Sequence, residues 1–179
     1  MIFLLSFLAL FSPLAAAISD DLPLQVFFSP EDHLADRLIS LIEKEESSIA
    51  VAAYAFSHWK IAKALCDAKE RGVKVEVVVD PFSLKFSSIL KKLTKSEIPI
   101  WVWDPLSSST GSSLMHDKFC LFGEKAVWTG SFNFTYYADH SNRENAILLN
   151  DPQIVKKFKA HFENLKKTGC KRYKRNDER

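Results

Sequence analysis

The chain has 179 residues, of which 47% are hydrophobic and 26% charged, and its formal net charge is +2. With only 5 Gly, 7 Pro and 3 Cys, this composition excludes collagen, a disordered polymer and a disulfide-dense mini-protein. The length fits one domain whose core is large enough to fold without a structural metal.

The N-terminal segment differs in composition from the rest. Residues 1–11 are almost entirely apolar, an Ala15-x-Ala17 pattern follows, and polar residues begin at Ser19. This pattern predicts a secretory signal peptide over residues 1–17 and therefore an exported protein, periplasmic or secreted. An uncleaved N-terminal membrane anchor is the alternative, although the run is shorter than the about 20 apolar residues that span a bilayer. Residues 18–170 are then predicted to form a single domain.

The first half of that domain alternates strand and helix patterns. Apolar runs predict strands over residues 24–28, 48–56, 73–79 and 98–103. Helical spacing predicts one helix with Ser29 as N-cap, one with Ser57 as N-cap, and one over residues 84–96. This order predicts an α/β fold with a mixed, mostly parallel sheet flanked by helices on both faces.

The second half begins with a Ser-rich loop over residues 104–113. Gly123 marks the turn of a predicted β-hairpin. The remaining predicted elements are strands over residues 115–122, 126–129 and 144–149 and a helix that begins at Asp151-Pro152.

Basic residues are concentrated at the C-terminal end. Between Lys156 and Arg179 there are ten Lys or Arg against three Asp or Glu. Residues 171–179 are predicted to form a basic tail that attracts a phosphate polymer or an anionic membrane surface. A solvated, frayed end is the alternative.

The cysteines are Cys66, Cys120 and Cys170, and they form no C-x-x-C pair, so the sequence predicts no zinc site. Their odd number leaves at least one of them free or bridged to another chain. Cys66 falls in a helix pattern and Cys120 in a strand pattern, so both are predicted to lie in the core.

Reactive side chains are concentrated in the second half. His116 and Lys118 stand two apart on a predicted strand and so project from the same face. An ammonium beside an imidazole suits a phosphoryl group, because the ammonium neutralises anionic oxygens while the imidazole attacks phosphorus. Ser131 and Asn133 offer hydroxyl and amide donors to phosphate oxygens. Glu144 can hold a histidine N–H and fix its tautomer.

Two further histidines are candidates for substrate contact. His58 follows the carboxyl end of a predicted strand, where ligands of α/β proteins gather. His140 lies in the loop between residues 136 and 143, close in sequence to the predicted site. For both, packing or plain solvation is the alternative.

The segments His116-Asp117-Lys118, Gly130-Ser131-Phe132-Asn133 and Glu144-Asn145 together resemble the signature of the phospholipase D superfamily. The resemblance covers nearly the whole mature chain. It is strongest to the short members with one motif, the Nuc-type bacterial endonucleases and the mitochondrial cardiolipin hydrolase group. It implies a phospholipase D-like fold and a homodimer whose two motifs form one active site across a two-fold axis.

The resemblance also implies a two-step phosphodiester cleavage without a metal or other cofactor. His116 of one subunit would attack phosphorus and form a phosphohistidine, while the partner's His116 would protonate the leaving oxygen and then activate water. Lys118, Ser131 and Asn133 would hold the phosphate, and Glu144 would orient His116.

One position departs from the signature. The family has an Asp seven residues after the His, where this chain has Gly123, followed by Glu124. The resemblance implies that this Asp is structural, so either Glu124 replaces it or a Gly turn needs no acid there.

Three functions remain open at this level. The first is a non-specific endonuclease on DNA or RNA, since a phosphate clamp reads the backbone and not the bases. The second is a phospholipase D acting on phosphatidylcholine- or cardiolipin-type lipids, with peripheral membrane contact through the N-terminal segment or the basic tail. The third is an inactive nucleic-acid- or lipid-binding module, for which Gly123 is the only support.

Overall fold

The computed structural model describes residues 24–107 and 111–174. Its strands are β1 (Leu24–Ser29), β2 (Ser48–Ala53), β3 (Lys74–Val79), β4 (Ile100–Trp103), β5 (Lys118–Phe122), β6 (Ala126–Gly130), β7 (Glu144–Leu149) and β8 (Cys170–Arg172). Its α-helices are α1 (Leu34–Lys44), α2 (Trp59–Glu70), α3 (Ser87–Lys95), α4 (Tyr136–His140) and α5 (Pro152–Asn164). Short 3₁₀ helices cover Pro81–Phe86 and Pro105–Ser107, and one π-helical segment covers Leu165–Gly169.

The described strands form one mixed sheet in the spatial order β1-β7-β6-β5-β2-β3-β4-β8. The prediction of a mixed sheet is confirmed, but the expectation that it is mostly parallel is wrong. Only the β2–β3 and β3–β4 pairs are parallel, and the other five pairs are antiparallel. The parallel pairs belong to the helix-connected first half. The short Gly123 turn makes β6 run antiparallel to β5, because a tight turn can join only antiparallel neighbours.

Helices cover both faces of the sheet, as predicted. On one face, α1, α2 and α3 bury side chains such as Leu38, Leu65 and Leu90 in one apolar cluster. On the other face, α5 packs Val155 and Phe162 in a second cluster. Strands β2 and β3 are covered from both sides, which explains why their sequences are nearly continuous apolar runs.

The first helix begins at Leu34 and not near Ser29, so the predicted N-cap is wrong. Ser29 is the last residue of β1 and is buried, and its Oγ donates to the carbonyl oxygens of Ala138 at 2.8 Å and Asn142 at 3.0 Å. Because tertiary contacts use this hydroxyl, it is not available to cap a helix. Ser29 instead ties the end of β1 to α4.

The C-terminal end of the described chain adds a strand that the sequence patterns did not predict. Strand β8 pairs with β4, and the Arg172 guanidinium lies 4.7 Å from the centre of the Trp101 ring. The boundary predicted after Cys170 therefore falls inside this strand. Residues 175–179 of the predicted basic tail, and residues 1–17 of the predicted signal peptide or anchor, lie outside the described residues. No helix within residues 24–107 and 111–174 has the length and apolarity that crossing a bilayer requires.

All three cysteines are free thiols. Cys66 and Cys120 are buried, as predicted for core residues. Burial raises the pKa of Cys120 well above its ordinary value and that of Cys170 to about 11. Since the thiolate is the reactive form, these cysteines act as apolar side chains at neutral pH.

Candidate active site

The predicted His–Lys pair lies at the edge of the sheet where β2 ends and β5 begins. His116 is exposed and precedes β5, which starts later than predicted, at Lys118. The Lys118 Nζ lies 3.2 Å from His116 Nδ1 and donates to the His116 carbonyl oxygen at 2.7 Å. The two side chains therefore meet although only one of them belongs to the strand.

Lys118 carries its charge in a confined position, with 8% of its surface exposed. Burial lowers the pKa of the Lys118 ammonium, and the nearby carboxylates of Asp117 and Glu144 oppose that shift. The ammonium also lies 5.3 Å from the centre of the Tyr54 ring. None of the ion pairs among the described residues includes Lys118. A desolvated charge in this state gains from an anion that binds beside it.

Ser131 and Glu144 meet because β6 and β7 approach closely at Gly130. A Cβ at position 130 would lie 2.2 Å from the backbone oxygen of Asn145, so only glycine fits there. The Ser131 Oγ donates to Glu144 Oε2 at 2.5 Å and accepts from the Asn145 N–H at 3.0 Å. The hydroxyl is thus held in place at the end of β6.

Glu144 is the first residue of β7, and both of its carboxylate oxygens are engaged. Oε2 accepts from Ser131, and Oε1 accepts from Asn142 Nδ2 at 2.9 Å. No hydrogen bond between Glu144 and His116 occurs within the described chain, so the predicted orienting contact stays a prediction. Glu144 is close enough to Lys118 to oppose the lowering of its pKa.

Asn133 follows on the same segment and is half-buried. Its Oδ1 is buried and has no hydrogen-bond partner in the described part of the chain. A buried polar atom without a partner costs free energy until one arrives, which indicates a place for a ligand. After a 180° turn of the amide, its NH₂ would point the same way and could donate to a phosphate oxygen.

His58 is buried and is the N-cap of α2, so the helix is capped one residue after the predicted Ser57. Its Nδ1 accepts from the Ile61 N–H at 3.5 Å, and its buried Nε2 lies 3.9 Å from Asp139 Oδ2. Burial lowers the pKa of His58, and the Asp139 carboxylate opposes this. With 5% of its surface exposed, His58 has little surface to offer a substrate.

His140 is exposed on α4, the short helix that follows the Ser131–Asn133 segment. Its ring stacks on that of Tyr136 with centroids 4.0 Å apart, and its Nδ1 lies 3.3 Å from Asp139 Oδ2. The ring is open to solvent, so contact between His140 and a substrate stays a prediction.

Gly123 is remote from the His–Lys pair. It has φ +55° in the β5–β6 turn, at the opposite end of β5 from Lys118. At about 3.3 Å per residue, five residues of strand separate the two positions by about 16 Å. Glu124 pairs with Lys159 of α5, and a Cβ on Gly123 would lie 2.7 Å from Ser47 Oγ. The departure from the signature therefore affects a distant turn.

Two residues beside His116 were not singled out from the sequence. The Tyr54 ring lies 4.4 Å from the His116 ring, and Asp80 is buried with its Oδ2 accepting from the Met115 N–H at 2.9 Å. They follow the carboxyl ends of β2 and β3. The rule that ligands gather at these strand ends could have found both.

Possible metal ligands are not grouped in the part of the chain that the structure describes. No three His, Cys, Asp or Glu side chains there are arranged to hold an ion. The predicted independence from metals stays a prediction, for which a chelator is the test.

Comparison with known proteins identifies the family. A family model described as "Cardiolipin synthase, PLD-like domain" matches residues 38–166. The chain belongs to this phospholipase D-like family. The resemblance predicted from the motif is thus confirmed, and members of the family are phosphodiesterases.

Named relatives of this phospholipase D-like chain support the assignment. A phospholipase D of Rickettsia typhi is 36% identical over 132 residues, which is 73% of this chain and 62% of that protein. A mitochondrial cardiolipin hydrolase of Xenopus tropicalis is 30% identical over 135 residues, 75% of this chain and 61% of that one. The crystal structure of Nuc, a phospholipase D family member from Salmonella typhimurium, matches with a TM-score of 0.75 and 32% identity. That match covers 85% of this chain and 98% of Nuc.

Proposed function

We propose that this chain is a phosphodiesterase that cleaves nucleic acid through a phosphohistidine at His116, without a metal. The contact between the Lys118 ammonium and the His116 ring is the observation that carries the proposal. It sets an exposed nucleophile beside a desolvated positive charge, as attack on a phosphodiester anion requires. Ser131 and the unpartnered Asn133 amide add two groups that can bind the other phosphate oxygens.

Substrate binding must change the state of the imidazole. While the Lys118 ammonium donates to Nδ1, the neutral ring carries its proton on Nε2, which then has no free lone pair. A phosphate that draws the ammonium onto its own oxygens frees Nδ1 to hold the proton instead. Glu144, which acts on the charge of Lys118, is the carboxylate we assign to that N–H. Nε2 then has the lone pair that attacks phosphorus.

The reaction needs a second proton-transferring group. Nε2 of one His116 forms the P–N bond while the P–O bond to the leaving group breaks, and an acid must protonate that oxygen. In the second step the conjugate base of that acid deprotonates a water molecule, which attacks phosphorus as the P–N bond breaks. We assign this role to the partner's His116 in a homodimer.

An apolar stripe beside the site suits that second copy. Leu24, Val26 and Phe28 project from one face of the edge strand β1 and are 53%, 46% and 55% exposed. The stripe continues to the site, because Phe28 pairs with Asn145 and Ser29 pairs with Glu144 across the β1–β7 ladder. Pairing two such stripes would bury apolar surface and bring two sites together.

Basic surface near the site favours nucleic acid as the substrate. Residues 81–96 contain four Lys and no Asp or Glu, and this segment begins directly after Asp80. The lysines of this segment attract a polyanion through its phosphates, without sequence preference.

Phospholipid head-group hydrolysis is the second candidate, as the names of the relatives suggest. Leu106 and Leu114 favour it, because both are well exposed in the segment that leads to His116. Such side chains can enter a lipid surface. Export after cleavage near Ala17 fits either substrate and remains a proposal.

The deciding experiment measures cleavage of DNA, RNA and phospholipid vesicles, each with and without EDTA. We expect cleavage of DNA or RNA in EDTA, and a loss of about a thousandfold or more in His116→Asn. His33→Asn is the matched control, since His33 is also exposed, lies outside the predicted site, and has a positive φ that Asn tolerates. Loss of all cleavage in EDTA would contradict the histidine mechanism, and release of phospholipid head groups alone would favour the second candidate. A wild type inactive on every substrate would leave only the binding module.

A further inference from the structure

A row of three rings extends from His116 along the sheet edge. The Tyr54 ring, 4.4 Å from His116, stacks on Phe82 with centroids 5.1 Å apart and an interplanar angle of 15°. Phe82 meets Phe86 edge-on at 5.9 Å. We call Tyr54, Phe82 and Phe86 the aromatic row. All three rings are only partly buried, so the row is accessible from solvent.

Buried hydrogen bonds fix the row relative to the catalytic segment. The Asp80 carboxylate accepts from the Phe82 N–H at 2.8 Å and from the Met115 N–H at 2.9 Å, so one buried side chain joins the row to the residue before His116. The Ser83 Oγ donates to the Tyr54 carbonyl oxygen at 2.9 Å. A row held in this way is preorganised, which reduces the entropy lost when a ligand binds to it.

Lys85 covers the outer face of Phe82. Its Nζ lies 4.5 Å from the centre of the Phe82 ring. The 5.1 Å spacing between Phe82 and Tyr54 leaves no room for an ammonium between them, so Lys85 occupies the opposite face. The Lys85 side chain is exposed, and a lysine ammonium sits on a four-carbon stem with several rotatable bonds. It can therefore move to a phosphate and leave the ring face open.

We propose that the aromatic row binds the base of the nucleotide next to the cleaved phosphate, by stacking on the Phe82 face that Lys85 covers. This inference rests on the proposed nuclease function. It adds that the site binds a base of the substrate as well as its phosphate. Every base has a π-face, so such stacking tolerates any sequence but requires the base to be unpaired. Lys85, displaced from the ring, pairs with the neighbouring phosphate. The substrate is therefore single-stranded nucleic acid at this position.

The test compares a thymidine 12-mer with a 12-mer of stable abasic (tetrahydrofuran) sugar phosphates, using the full chain. The abasic strand keeps the phosphates and lacks the bases, so it reports the phosphate chemistry alone. We expect the wild type to cleave the thymidine strand with a kcat/KM about tenfold higher, as stacking of one base supplies. Phe82→Leu keeps the apolar bulk. It should lower kcat/KM on the thymidine strand to the abasic level and leave cleavage of the abasic strand unchanged.

Trp59→Leu is the matched control. Trp59 is exposed and carries the Lys92 ammonium 4.5 Å from its ring, but within the described residues it makes no ring contact with the aromatic row. The Trp59→Leu variant should cleave the thymidine strand and the abasic strand with the kcat/KM values of the wild type. Equal wild-type rates on both strands, or a Phe82→Leu variant that loses activity on both equally, would overturn the inference while leaving the nuclease function intact.

Phosphatidylcholine vesicles, as a third substrate, show whether the aromatic row binds a nucleic-acid base or a lipid head group. If Phe82→Leu slows release of choline from phosphatidylcholine vesicles and leaves the thymidine strand unaffected, the row binds a lipid head group and the inference is wrong. If the wild type cleaves RNA but not DNA, a uridine 12-mer and its abasic analogue replace these two strands. If it cleaves no nucleic acid, the proposed nuclease function fails and the inference fails with it.

Discussion

Lys118 is the residue in the site whose ionisation the fold perturbs most clearly. A buried ammonium loses hydration, so its folded pKa lies below that of a free lysine, and it deprotonates at a lower pH. The carboxylates of Asp117 and Glu144 limit this lowering of the Lys118 pKa. A bound phosphate restores the charged form, so the pH sensitivity belongs to the free enzyme and to kcat/KM more than to kcat.

Removing the charge of Asp117 should therefore shift the pH profile. Asp117 raises the pKa of Lys118, and its carboxylate otherwise pairs with the exposed His161 at 2.7 Å. In Asp117→Asn we expect the alkaline fall of kcat/KM to move to lower pH, measured on an oligonucleotide at constant ionic strength. Glu124→Gln, at the far end of the hairpin, should leave the profile in place. A shift of the Asp117→Asn profile to higher pH would contradict this account of Lys118.

The close approach of β6 and β7 holds Ser131 against Glu144. At Gly130 a side chain would both adopt φ +156° and collide with the backbone of Asn145, and no flexible group is there to yield. We expect Gly130→Ala to lower the free energy of unfolding by about 3 kcal/mol, measured in urea, because the strands must separate.

Gly72→Ala serves as the comparison for that variant. Gly72 also has a positive φ, +95°, but a Cβ there meets nothing within 4 Å. The Gly72→Ala variant should therefore lose about 1 kcal/mol of unfolding free energy, the cost of placing alanine at a positive φ. If the two variants lose the same stability, the steric contact at Gly130 is unimportant.

The buried His58 should make the packing of α2 against α4 sensitive to acid. Folding lowers the pKa of His58 below the unfolded value of about 6.5. Between these two pKa values the unfolded chain binds more protons than the folded chain. Stability is then lost as the pH falls below about 6.5. His58→Asn retains an oxygen that can cap the helix and removes the titration, so its unfolding free energy should change less with pH. An identical pH dependence in both proteins would contradict this role of His58.

The elements show where sequence patterns succeed and fail. Apolar runs located β1, β2, β3 and β7 well, because each of these strands is a nearly continuous run of apolar residues. Strand β8 was missed, because Cys170-Lys171-Arg172 has no apolar pattern and is held by its backbone pairing with β4 and by contacts of Lys171 and Arg172 with distant residues. Ser29 has the local neighbours of a helix cap, yet distant carbonyls take its hydroxyl. Local patterns do not report contacts of that range.

The same distinction applies to the site. Spacing along the sequence was enough to find four site residues, because they lie on the β5–β6 hairpin and on the next strand, β7. These residues are His116, Lys118, Ser131 and Glu144. Tyr54, Asp80 and Phe82 follow the ends of β2 and β3. The strand-end rule indicates that edge of the sheet, but their place beside His116 depends on the pairing of β2 with β5, which no local spacing encodes.

The whole molecule should work as a pair. Because one chain supplies one His116, we expect activity to require two intact copies. Co-refolding wild type with an equal amount of His116→Asn should leave about a quarter of the activity of an all-wild-type sample, whereas independent monomers would leave about half. Activity that falls in simple proportion to the wild-type fraction would contradict a shared site.

The exposed stripe on β1 offers a second test of that assembly. Val26→Lys places a charge in the middle of the stripe and should weaken the dimer, measured by sedimentation, and lower activity with it. Leu106→Lys is the comparison, since Leu106 is more exposed but lies outside the stripe. A Val26→Lys protein that stays dimeric would place the interface elsewhere.

Within residues 24–107 and 111–174, strand β1 pairs with β7 alone, so Leu24 finds its partner in Leu149, far along the chain. While the ribosome is still making the intervening segments, the nascent chain carries this apolar strand unpaired. The corner that joins Ser29, Ser131 and Glu144 also cannot close before β7 emerges. A growing polypeptide therefore lacks the complete candidate site until β7 has been made.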